Sequence, residues 1–254
     1  MLASIVLAFS CGANKTKDKD SASLENAQPN DSTIIGEWIH MSHQGPVRIN
    51  FKDNGTVETD IGDNKSIDVI SNYTLKSDTI KFLDKDGKSC PDAGIYKVYN
   101  RGYTVAFDVI DDLCNGRIKL TTGFWVRPNY TEQISQLNSL IEKTDNKKYI
   151  LQRARMYLAL GNSKLAKQDF DSYIDRDSTD AKVYINRAGT RFPDGLKGVV
   201  YDCSKAIALD STDKNAYFLR GLAYYGLGET QKGCADFKKS IDLGFKILKK
   251  VESM

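Results

Sequence analysis

Lys214 to Ser240 reads KNAYFLRGLAYYGLGETQKGCADFKKS, and the pattern of this stretch returns twice upstream, in segments beginning at Lys147 and Ala181. The spacings are 34 and 33 residues. Tyr217, Arg220-Gly221, Tyr224, Gly228, Gly233 and Asp236-Phe237 of the last segment fall where the first has Ile150, Arg153-Ala154, Tyr157, Gly161, Ala166 and Asp169-Phe170. Self-similarity at this period marks two-helix units, each too small to bury its own apolar face and therefore stacked on its neighbours. Small residues at Ala154, Ala188 and Gly221 allow paired helices to approach, and Gly161, Gly195 and Gly228 are placed to end the first helix of each unit. Residues 147–243 are expected to form three units, at about 147–180, 181–213 and 214–247, with 244–254 as a capping helix.

The middle unit departs from this pattern. Arg191-Phe192-Pro193-Asp194-Gly195 puts a proline at the end of its first helix, and Cys203 stands where the neighbours carry Phe170 and Phe237. Its turn is expected to be remodelled. An Arg and an Asp still recur in every unit, Arg153 with Asp169, Arg187 with Asp202 and Arg220 with Asp236. Recurrence of both signs together predicts charge pairs joining the two helices rather than a ladder of ligand-binding cations. Ahead of the array, Ile134, Leu137, Leu140 and Ile141 have helical spacing, so residues 129–146 read as a linker helix packed on the first unit.

The array resembles the tetratricopeptide repeat family. That resemblance implies that the inner helix of each unit lines a groove for a protein or peptide. Carried over by position, the groove would hold Lys148, Leu151, Arg155 and Leu158, then Lys182, Ile185 and Gly189, then Asn215, Phe218, Leu222 and Tyr225. Basic and apolar side chains together suit an extended peptide with an acidic residue or terminus.

Residues 33–128 alternate with period 2. Val47, Ile49 and Phe51 interleave with polar neighbours, and Tyr103, Val105, Phe107 and Val109 would share an inward face. Turn clusters at Asp53-Asn54-Gly55, Asp84-Lys85-Asp86-Gly87 and Asn115-Gly116 separate seven or eight short strands, as in an up-and-down barrel or a sandwich. Gly36-Glu37-Trp38, Phe51-Lys52-Asp53-Asn54-Gly55-Thr56 and Tyr73-Thr74-Leu75-Lys76-Ser77-Asp78-Thr79-Ile80 resemble the lipocalin-like domains of bacterial envelope proteins. The resemblance implies a small antiparallel barrel whose end is plugged by Trp38, with Arg127 packed over it. Such a barrel is either packed solid or holds one small apolar ligand. The fold class is thus α+β, a β-barrel followed by a helical solenoid.

Leu2 to Phe9 is apolar, Ser10-Cys11-Gly12 follows, and residues 12–32 are polar. This order resembles a bacterial lipoprotein signal (residues 1–11), lipidated at Cys11 and followed by a flexible tether, although no basic residue precedes the apolar run. It implies an exported protein of the cell envelope that meets the membrane only through its lipid. Cys90 and Cys114, 24 positions apart beside turn residues, are expected to form a disulfide in an oxidising compartment, which closes a loop worth about 3 kcal/mol. Cys203 and Cys234 read as buried thiols.

Several chemistries find little support. His40 and His43 are the only histidines, and three positions apart on a strand they face opposite ways, so they share no metal and leave a Ser-His-Asp or Cys-His arrangement without an obvious nucleophile. The acidic pairs Asp111-Asp112 and Asp84/Asp86 read as turn and solubility residues. No Gly-rich phosphate loop occurs. Net charge is +3 overall and +5 over residues 129–254, too diffuse for a nucleic-acid stripe. The expectation is a protein-binding scaffold without catalysis, metal, cofactor or nucleic-acid partner, its alternative a small-ligand carrier using the barrel.

Overall fold

The computed structural model describes residues 34–42, 45–85 and 90–245. Cys11, His43, Asp86, the tether and the 246–254 part of the expected cap lie outside them. The chain is α+β and divides into two compact units between Asn162 and Ser163. The division falls inside the first expected repeat, after its first helix.

The first unit is built on a closed antiparallel barrel. Its strands are β1 (Gly36–Ser42), β2 (Gly45–Phe51), β3 (Thr56–Ile61), β4 (Val69–Lys76), β5 (Thr79–Asp84), β6 (Gly94–Asn100), β7 (Thr104–Asp111) and β8 (Gly123–Val126). Each pairs with the next, and β8 returns to β1 with Ile39 opposite Val126. The β2–β3 hairpin turns where Asn54 accepts from Thr56 N and Oγ1 at 3.1 and 2.6 Å, while Gly55 takes φ +77°. Alternation does its expected work: Val47, Ile49 and Phe51 point inward, joined by Ile80, Phe82, Tyr96, Phe107 and Trp125.

Two parts of this unit differ from the sequence expectation. Asn115-Gly116 opens a helix, α1 (Asn115–Thr121), instead of a hairpin turn, and its Leu120 packs on the barrel core. Seven residues carry too weak a period to announce themselves, and the core contact selects the helix. Tyr103 joins not the barrel interior but a second cluster on the barrel's outer face. There α2 (Tyr130–Thr144) and α3 (Lys147–Ala159) form an antiparallel pair, and Leu137, Met156 and Ala159 bury themselves with Val126, Ile39 and Phe124. The expected linker helix and the first helix of the expected first repeat therefore belong to the barrel's unit. This cover also explains why Thr104 and Ala106 of β7 are buried although they alternate with the inward face.

The second unit contains α4 (Ser163–Arg176), α5 (Ala181–Thr190), α6 (Leu196–Leu209), α7 (Lys214–Gly226) and α8 (Thr230–Asp242). Asp177-Ser178-Thr179-Asp180 and Asp210-Ser211-Thr212-Asp213 are identical approach turns. In each the first Asp accepts from the Thr backbone and hydroxyl, and the last caps the inner helix, Asp180 for α5 and Asp213 for α7. Such caps are worth about 1 kcal/mol each. Gly221 is required by packing, since a Cβ there would lie 2.9 Å from the Phe237 ring and the α7–α8 pair would have to separate. Gly228 follows α7 at φ +79°, the left-handed ending expected of it. Gly195 does not play that part. Helix α5 ends at Thr190, the Phe192-Pro193 peptide is cis, and Gly195 precedes α6 as its N-cap at φ −104°.

Candidate functional site

Two places in the molecule could engage another molecule: the face of α5 and α7, and the barrel interior. The repeats use their recurring charges internally. Asp202, wholly buried, accepts from Arg187 at 2.6 Å and from Arg191 at 2.8 Å, while Arg187 also reaches Asp171 at 2.8 Å. Arg220 grips Asp236 with two bonds of 2.7 and 2.8 Å, and hydrogen bonding to this carboxylate raises the guanidinium's pKa. Arg153 of α3 donates to Asn138 of α2 at 2.6 Å. Beside Asp202, burial pushes the Cys203 thiol up to about 12, with the carboxylate adding to the effect, so this cysteine is a small apolar filler at neutral pH. Cys203 and Cys234 are both thiols, the first buried as expected and the second only half-buried.

Of the eleven candidate groove residues, seven lie on α5 and α7, which touch one another. Lys182, Gly189 and Asn215 are exposed, and Ile185, Phe218, Leu222 and Tyr225 are half-buried. Ile185 packs on the cluster of Tyr184, Ala206 and Ala216. Phe218 stacks on Phe245 with ring centres 4.1 Å apart and lies 5.8 Å from Phe237. These two side chains therefore contribute to stability as well as to the face. The other four, Lys148, Leu151, Arg155 and Leu158, lie on α3 in the barrel's unit, with Lys148 exposed, Leu151 buried and the other two half-buried.

At one end of the barrel the Arg127 guanidinium sits 3.8 Å from the centre of the Trp38 ring and donates to Ile35 O at 2.8 Å. Trp38 Nε1 donates to Ile34 O at 2.7 Å. His40 donates from Nδ1 to Phe124 O at 2.8 Å and lies over Trp125, and burial lowers its pKa. The disulfide expected between Cys90 and Cys114 is formed. Among the described residues, no group of three or more His, Cys, Asp or Glu is placed to hold a metal ion, and no helix is long and apolar enough to cross a membrane.

The opposite end, beneath α1, contains a cavity of about 290 Å³ with Phe51, Val57, Phe82, Leu120 and Trp125 in its walls. Its polar side is a buried ion cluster that the sequence reading missed. Arg117 donates to Asp112 from Nε at 2.7 Å and from Nη2 at 2.9 Å, reaches Asp92 O at 2.7 Å, and lies 3.4 Å from Asp84. Asp112 also accepts from Cys114 N and from the Tyr96 hydroxyl. Burial first, then this bond to Asp112, pushes the Tyr96 phenol far above its ordinary pKa. Asp84, Asp112 and Arg117 are 6%, 3% and 8% exposed, so solubility does not explain these carboxylates. A signal for Asp84 was present: Ile80, Phe82 and Asp84 share one face of β5, and that face is inward.

Residues 215–243 match the family model for the tetratricopeptide repeat, so the helical unit contains a tetratricopeptide repeat. No curated protein matches the chain. Among solved structures, the chain is similar to a crystal structure of MamA, with 22% identity over 46% of this chain and 69% of that one at a TM-score of 0.44. It is similar also to the tetratricopeptide domain of Arabidopsis OM64, with 22% identity over 39% of this chain and 82% of that one at 0.38. The first such domain of Spaghetti (RPAP3), solved with an HSP90 peptide, is 21% identical over 40% of this chain and 82% of that one, again at 0.38.

Proposed function

We propose that this chain is a non-enzymatic scaffold of the bacterial cell envelope, exported and lipid-anchored through Cys11, whose repeat helices bind an extended segment of another protein. The observation that carries the reading is the face shared by α5 and α7, where Lys182, Asn215, Leu222 and Tyr225 keep exposed or half-exposed surface beside one another's helices. A basic and aromatic face of this kind suits a segment with an acidic residue, and the +5 charge of residues 129–254 favours the same partner. A photo-crosslinking residue placed at Leu222 or Tyr225 in living cells should capture one protein, whereas the same residue at exposed Lys238 on α8 should not. Equal capture at all three positions, or capture at none, would count against the face. Radioactive palmitate should label the protein and leave Cys11→Ser unlabelled, and an unlabelled parent protein would remove the anchor.

The cavity under α1 supports a second role, retention of a small ligand with an apolar body. Native mass spectrometry of the purified protein tests it, since a bound molecule would add its mass and an empty barrel would not.

A further inference from the structure

We infer that the barrel cavity selects a small primary amine with an apolar tail, its ammonium group received by Asp84. This rests on the reading of the cavity as a ligand site and is independent of the repeats.

The selection follows from how the polar atoms around the cavity are used. Among the described residues, both contacts of the Asp84 carboxylate fall on one oxygen: Ser71 Oγ donates to Oδ1 at 2.7 Å, and Arg117 Nη1 lies 3.4 Å from the same atom. Oδ2 receives neither. Asp84 and Ser71 both line the cavity, and the Asp84 side chain is only 4% exposed. The carboxylate is buried except at this second oxygen, which is open to the cavity, so a ligand that displaces water from it must supply a donor in its place.

Charge decides what kind of donor. Among the described residues the cluster has two carboxylates, Asp84 and Asp112, against one guanidinium, that of Arg117. Asp112 takes two of the guanidinium's bonds at 2.7 and 2.9 Å, and the carbonyl of Asp92 takes a third, so Arg117 is mostly spent before it reaches Asp84. An anionic ligand would therefore meet an acceptor in Asp84 and a cation already engaged. An ammonium would balance the second carboxylate and make a charge-assisted bond, roughly twice as strong as a neutral one. A calcium ion is poorly served, since it asks for six to eight oxygens and the side chains lining the cavity offer, besides the Asp84 carboxylate, the hydroxyls of Thr59, Ser71 and Thr121 and the cation of Arg117.

The remaining walls set the tail. Phe51, Val57, Phe82, Leu120 and Trp125 surround a volume of about 290 Å³, the liquid share of about ten waters, which suits a tail of up to about eight carbons or one ring.

The test is titration calorimetry on the whole protein at neutral pH with three matched probes: octylamine, octan-1-ol and octanoate. Octylamine should bind about tenfold more tightly than octan-1-ol, and octanoate more weakly than either. Asp84→Asn, checked for folding by circular dichroism, should bring the amine down to the level of the alcohol. Ile61→Trp, which enlarges a half-exposed side chain of the cavity lining, should weaken all three probes. Equal binding of the amine and the alcohol would overturn the amine preference while leaving the cavity a ligand site. Failure of every probe to bind would overturn both. The probe series on the unaltered protein decides the matter even if Asp84→Asn does not fold.

Discussion

The barrel and the repeats each bury arginine against aspartate, but they reach that state by opposite routes. In the repeats the partners recur: Arg187 with Asp202 and Arg220 with Asp236 are 15 and 16 positions apart, each pair tying the inner helix of a unit to its outer one. In the barrel, Arg117 gathers Asp112, the residue after β7, and Asp84 from β5, 33 positions away, and the three meet only because the barrel closes beneath α1. Among the described residues the repeat pairs are balanced charge for charge or favour the cation, whereas the barrel cluster has one carboxylate in excess. A periodic ion pair is thus a structural link, and the aperiodic, unbalanced one beside a cavity is the place proposed above to receive a ligand. Both tryptophans of the chain, Trp38 and Trp125, lie in the barrel, so tryptophan fluorescence follows that unit while helical circular dichroism is dominated by the rest.

The largest effect should come from Arg117→Ala, which strands two buried carboxylates. Barrel stability measured by fluorescence in urea should fall by about 4 kcal/mol, with the helical transition moving much less. A small loss would mean that water already reaches the cluster. Asp202→Ala comes next, because it leaves Arg187 and Arg191 facing a wholly buried gap, and the helical transition should lose about 3 kcal/mol. The matching Asp236→Ala should cost about half as much, since Arg220 and Asp236 retain 19% and 9% of their side-chain exposure. Equal losses would show that the middle repeat is no more dependent on its ion cluster than the last.

A third difference is in pH. The Tyr96 phenol is held protonated in the folded barrel by burial and by Asp112, while in the unfolded chain it ionises near pH 10. Its contribution is therefore complete below about pH 10 and is lost as pH rises beyond that value, at up to about 1.4 kcal/mol per pH unit. Tyr96→Phe should flatten the alkaline fall in barrel stability, and an unchanged slope would mean that other groups carry it. The smallest effect belongs to Arg127→Met, which removes the cation over Trp38 and the bond to Ile35 O. About 1 kcal/mol should be lost, together with a shift in the tryptophan emission.

Much of this molecule is legible residue by residue. The spacing of Gly161 and Gly228, of Arg220 and Asp236, and of the two Asp-Ser-Thr-Asp turns follows from a helix pair repeated about every 34 residues. Alternation in β2 and the Cys90–Cys114 bridge were equally open to view. Asp84 was half-legible: its parity with Ile80 and Phe82 points inward, yet the Lys85-Asp86-Gly87 that follows makes it look like a turn residue. Helix α3 was half-legible in a different way. Its spacing is that of a repeat helix, while Met156 and Ala159 are buried with strands of the barrel.

Sequence alone determined what is periodic: helices at a period of about 34, strands at a period of 2, and the charge pairs that travel with the helices. Periodicity is local, so it survives in the order of residues. Only the tertiary structure decided that α3 is held by the barrel, that α1 exists, and that Asp84 faces a cavity with one oxygen unused. Those outcomes depend on which distant strands become neighbours when the barrel closes, a relation that no spacing along the chain encodes.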